Sequence, residues 1–159
     1  MGKFRDKGRI PGGYVAVLKD TLDSPAWRAM SMGARCLYIE LKRPYNRDLG
    51  NNGRLFLPVR KAVIQSGTSR QQIGRWFREL QHYGFIVMTT KHQLGVEGEG
   101  RAARWKLTEV SYMKEEPTRE FMKWDGKKFR AQNKGQFQKR GNRRSDIAIV
   151  STSLQHVMV

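Results

Sequence analysis

The chain has 159 residues with 31 Lys and Arg against 14 Asp and Glu, a formal net charge of +17, and a single cysteine, Cys36. A chain of this length suits one domain with appendages that buries its own core, so no metal or disulfide staple is required, and a lone cysteine excludes an internal disulfide or a cysteine zinc site. No apolar run approaches the roughly 20 residues of a membrane helix, and no signal-peptide core follows MGKFRDKGRIPGG, so the expectation is a cytoplasmic, nucleoid-associated protein with a polyanionic partner.

In chain order, residues 1–20 form a basic N-terminal arm with a net charge of +3. Ser24-Pro25 is an N-cap followed by proline at the first helical position, which opens a short helix through about Met30. Ser31 caps a second helix in which Ala34, Leu37, Tyr38 and Leu41 share one face and Cys36 lies partly buried beside them; Pro44 ends it. Leu55-Phe56-Leu57 is a short β-like run. Pro58 opens a third helix, closed by Ser66-Gly67. Thr68 and Gln71 have the spacing of a capping box, after which Ile73, Trp76, Phe77 and Leu80 line one side of a fourth helix. Gly84 suits a left-handed position, Phe85–Thr90 reads as a strand, and Arg101–Thr108 as its returning partner across a glycine-bearing loop. The expected class is mainly α with a small β-hairpin (α+β): one domain over 21–110 and a basic, largely disordered C-terminal tail over 111–159.

Helix, short strand, helix, tight turn, helix and hairpin is the order of a winged helix-turn-helix. The stretch TSRQQIGRWFRELQHYGFI resembles the recognition helix and first wing strand of bacterial winged-helix DNA-binding proteins. DSPAWRAMSMGARCLYIELKRPYN and NNGRLFLPV are similar to the first helices and short strand of such proteins in bacterial, plasmid and phage genomes. Members include replication-initiator N-terminal domains and transcriptional regulators, and the resemblance spans about residues 11–110.

Independently of that resemblance, Gln71, Arg75, Arg78 and His82 fall on the side of the helix opposite its apolar sector. Arg matches guanine O6/N7 and Gln matches adenine N6/N7, so Ser69, Arg70, Gln71, Gln72, Arg75 and Arg78 are the candidate DNA contacts of the helix. Lys91, His92, Arg101 and Arg104 flank the hairpin tip as candidate wing contacts, against which Glu97 and Glu99 at the tip would be repelled by phosphate. Lys127, Lys128, Arg130, Lys134, Lys139, Arg140, Arg143 and Arg144 make a run with no acidic residue, suited to tracking phosphates.

The expected partner is double-stranded DNA. A homodimer and a protein partner for the tail are left open, and no membrane, cofactor or metal is expected. Phe121 and Trp124 either dock onto the domain or form a partner-binding peptide. Enzymatic readings are weak: His82, His92 and His156 lack metal spacing, and Glu120 with Asp125 makes only a vague nuclease set. The alternative function is a structural RNA- or ribosome-associated basic protein.

Overall fold

Capping serines start the second and third helices. The computed structural model describes residues 13–91 and 102–131, and those through Phe129 belong to one unit of the chain. After α1 (Lys19–Asp23), Ser24 Oγ accepts the Trp27 N–H (3.2 Å) and opens α2 (Pro25–Ala29) with Pro25 in its first turn. Ser31 does the same for α3 (Met32–Lys42), accepting the Ala34 N–H at 3.3 Å. These hydroxyls satisfy amide groups that a helix start leaves without intrahelical acceptors. Next, α4 (Val59–Ser66) ends on Gly67, whose φ of +63° is costly for residues with a Cβ.

The capping of α5 (Arg70–His82) differs from expectation by one residue. Ser69, not Thr68, is the cap, accepting the Gln72 N–H at 3.2 Å. Thr68/Gln71 and Ser69/Gln72 both have the required spacing, so pattern alone does not choose between them. The C-terminal end closes with two reversed bonds, Phe85 N–H to Leu80 O (3.0 Å) and Gly84 N–H to Gln81 O (3.1 Å), around Gly84 at φ +77°. A Cβ at Gly84 would also lie 2.9 Å from the backbone of Glu120 and Phe121, so close packing and backbone conformation both call for glycine.

Strands β1 (Ile86–Thr90) and β2 (Arg104–Leu107) pair antiparallel, Ile86 opposite Leu107 and Met88 opposite Trp105, with an irregularity between Met88 and Thr90. Leu55 adds an antiparallel bridge to Trp105, whose N–H donates to the Leu55 carbonyl at 2.8 Å. The architecture is therefore mixed helical with a small antiparallel sheet.

Helices α3 and α4 both pack on α5. Trp27, Tyr38 and Phe85 meet edge to face at 5.6–5.7 Å, and Phe77 stacks on Trp105 at 5.0 Å. The Trp76 ring sits over Gly33, leaving no room there for a Cβ.

The folded body continues past the expected boundary at residue 110. Phe121, in a 3-10 helix over Glu120–Lys123, is 2% exposed and stacks on Phe85 at 4.7 Å. The Arg119 N–H donates to the Thr108 carbonyl (2.9 Å), tying this segment to the end of β2. Of the two readings left open for Phe121 and Trp124, docking is the one observed. Two apolar side chains, Phe121 and Phe129, and Trp124 offset the ordering of a stretch whose average composition reads as disordered. Cys36, expected to be partly buried, is exposed.

Two buried polar knots hold the remaining loops. Asn52 donates through Nδ2 to the carbonyls of Leu107 (2.9 Å) and Ser111 (3.0 Å), and its Oδ1 accepts the Leu107 N–H at 2.8 Å. Glu109 Oε1 accepts from the Leu18 N–H (2.8 Å) and the Thr21 hydroxyl (2.7 Å), while Oε2 accepts from the Tyr38 hydroxyl (2.7 Å) and the Lys42 ammonium.

Candidate nucleic-acid interface

The division of α5 into faces follows the sequence period. Ile73, Phe77 and Leu80 are buried, Trp76 is half-buried, and Arg70, Gln71, Arg75, Arg78 and His82 are exposed. Gln72 is half-buried at one edge of the outward face. Ser69 is exposed but its oxygen is engaged as the helix cap.

Charge separation around this helix is sharper than the net charge of the chain suggests. Between Leu49 and Lys91 the sequence has seven Lys and Arg and a single acidic residue, Glu79. All seven cations, Arg54, Arg60, Lys61, Arg70, Arg75, Arg78 and Lys91, are exposed, whereas Glu79 is 5% exposed. Glu79 Oε1 accepts the Ser31 N–H at 2.6 Å and Oε2 accepts the Ser31 hydroxyl at 2.8 Å. The one carboxylate of this stretch is thereby withdrawn from the surface and joins α5 to the start of α3. Arg54, Arg60 and Lys61 are exposed as well and were not among the expected contacts. The run without exposed acids is visible in the sequence, but burial of Glu79 is not.

Of the expected hairpin contacts, Lys91 and Arg104 are exposed, with Arg104 paired opposite Thr90; His92 and Arg101 lie outside the described residues. Of the basic run, Lys127, Lys128 and Arg130 are exposed, while Lys134, Lys139, Arg140, Arg143 and Arg144 lie outside the described residues.

The segment carrying Lys127 and Lys128 is seated on the C-terminal end of α5. The Lys127 carbonyl accepts from His82 Nε2–H (2.6 Å) and Trp124 Nε1–H (3.0 Å), and the Phe129 N–H donates to the Tyr83 hydroxyl at 3.1 Å. Trp124 meets Tyr83 edge-on at 5.2 Å. His82 is exposed on the solvent side as expected, and it also clasps this segment. Asp125 takes both the backbone N–H and the ammonium of Lys127 at 3.0 Å, which holds its carboxyl below the usual range.

Between this strap, the α2–α3 turn and α5 lies an open groove of about 350 Å³ lined by Met30, Gln72, Arg75, Tyr83, Lys128 and Phe129, among others. Among the described residues, no group of three or more His, Cys, Asp or Glu is placed to hold a metal ion, and no helix is long and apolar enough to cross a membrane. Comparison with family models, curated proteins and solved structures finds no match to this chain.

Proposed function

We propose that this protein binds double-stranded DNA sequence-specifically through a winged helix-turn-helix, with α5 as the recognition helix and β1–β2 as the wing. The observation that carries the reading is the outward face of α5: Gln71, Arg75 and Arg78 project from a helix anchored by Ile73, Phe77 and Leu80, within a surface stretch holding seven cations and no exposed acid. Such a face matches the donors of Arg and the paired donor and acceptor of Gln to base edges in a major groove. The element order supports the same reading, since α3, the Leu55 bridge, α4, α5 and the hairpin follow one another as in winged helices, and Leu55 pairs with the returning strand. Lys91 and Arg104 at the hairpin are the described candidates for wing contacts to phosphate.

A structural RNA-binding role is less well supported. Sheet-based RNA readers stack bases on outward aromatic side chains. Here β1 carries no aromatic residue, and the aromatic residue of β2, Trp105, is 4% exposed and covered by Phe77.

Within the DNA-binding class, a transcriptional regulator is the preferred role and a replication-initiator-like factor the other. Mapping of bound DNA across the host genome tests both: several promoter sites are expected for a regulator, one origin-like site for an initiator. Crosslinking confined to structured RNA would overturn the proposal.

A further inference from the structure

Arg75 lacks the neutralising partner that its helix position normally provides. Glu79 stands four residues further along α5, the spacing at which carboxylate and guanidinium groups pair on a helix surface. Both Glu79 oxygens are instead held by the N–H and hydroxyl of Ser31, at 2.6 and 2.8 Å. Arg75 is exposed, lines the groove and has no ion pair among the described residues.

Lys128 lines the same groove, and its backbone is fixed on both sides. The Lys127 carbonyl before it is clasped by the His82 and Trp124 ring N–H groups, and the Phe129 N–H after it is held by the Tyr83 hydroxyl. Lys127 is ion-paired with Asp125, but Lys128 has no ion pair among the described residues. Gln72 adds an amide to the rim. Two cations from elements distant in sequence therefore line one concavity, and Glu79, the carboxylate that lines it among the described residues, keeps its charge but is 5% exposed and bonded to Ser31.

We propose that this groove seats a phosphate group, held by Arg75 and Lys128, and that the group belongs to the backbone of the DNA read by α5. The inference rests on the DNA-binding reading. It gives the strap a role, fixing one phosphate contact in register with the recognition helix, and moves Arg75 from base readout toward the backbone. Arginine suits that task because its planar fork meets two phosphate oxygens at once, while lysine adds a point charge.

The test uses the full-length protein, a selected duplex and a random duplex, titrated across several salt concentrations. Arg75→Ala and Lys128→Ala should each weaken both duplexes by similar factors and make log K against log salt shallower by about 0.9, the release expected for one phosphate contact. Lys123→Ala removes the same charge from outside the groove and should leave the slope unchanged, while Gln71→Ala should weaken the selected duplex alone. A parallel titration with inorganic phosphate, followed through the backbone amide resonances of Arg75 and Lys128, separates the sources. Shifts in wild type that vanish in Lys128→Ala, together with unchanged duplex slopes, would keep the phosphate seat and assign it to a free phosphate, overturning the DNA-backbone assignment. Unchanged slopes without phosphate-induced shifts would overturn the groove, as would a Lys123→Ala slope change equal to that of Lys128→Ala. If wild type binds no duplex, the DNA reading itself fails and the phosphate titration alone decides the seat.

Discussion

A single carboxylate, Glu109, gathers groups from two separate parts of the chain. Its partners Leu18, Thr21, Tyr38 and Lys42 lie 67–91 residues away in sequence, and Lys42 is itself buried. Burial pushes the carboxyl pKa up, but hydrogen bonds from Lys42, the Leu18 N–H and Tyr38, with the Lys42 charge, outweigh it and hold the pKa below the ordinary 4.5. Tyr38 is pushed well above its usual value by burial and by the adjoining Glu109 charge. A carboxyl with a depressed folded-state pKa contributes stability above its unfolded pKa and loses it as pH falls through the folded value. Unfolding free energy should therefore decline below about pH 4.5, and the decline should be shallower in Glu109→Gln. At neutral pH Glu109→Ala leaves the Lys42 ammonium buried without its partner and should cost about 3–5 kcal/mol. Denaturant titrations of both variants over pH 3–7 check this, and equal pH profiles would remove Glu109 as the cause. None of this is legible in the sequence, where Glu109 counts only as one acid in a basic chain. Its role arises from tertiary convergence.

At the scale of elements, α5 is the part most legible from sequence, because one periodicity sorts both its buried and its outward residues. Ile73, Phe77 and Leu80 follow the pattern, as do exposed Gln71, Arg75 and Arg78. A departure occurs where a neighbour intervenes, since Trp76 lies half-buried over Gly33, while His82 keeps its exposed side and also clasps the strap. The helix start is displaced by one residue because two overlapping capping patterns compete. Phe77→Ala should destabilise by about 3–5 kcal/mol through lost burial and the residual cavity beside Trp105. Gly33→Ala, a favourable change for an isolated helix, should instead cost about 1–3 kcal/mol because the new methyl must displace the Trp76 indole. Thermal melts decide both, and a Gly33→Ala protein more stable than wild type would show that α3 and α5 pack more loosely than described.

The folded unit of the molecule includes a segment whose composition suggested a tail. A basic average conceals Phe121, Trp124 and Phe129, which pack on the hydrophobic core. Average charge and hydropathy report composition; whether an aromatic residue finds a socket depends on Phe85, Tyr83 and Gly84, which come from elsewhere in the chain. Truncation after residue 110 should therefore lower the melting temperature sharply, while truncation after Ala131 should leave it nearly unchanged. The longer truncated protein still lacks Lys134, Lys139, Arg140, Arg143 and Arg144. It should bind specific and random DNA more weakly by similar factors, with a shallower salt dependence, if those residues track phosphates. A salt slope parallel to that of the full chain would assign them another role.

Sequence-specific recognition through the outward face of α5 is tested most directly by selection from a randomised duplex library. The wild-type protein should enrich one motif, and Gln71→Ala and Arg78→Ala should each lose about 1–3 kcal/mol on it while non-specific binding stays almost unchanged. Failure to enrich any motif, or enrichment of the same motif with undiminished affinity by both variants, would contradict the account.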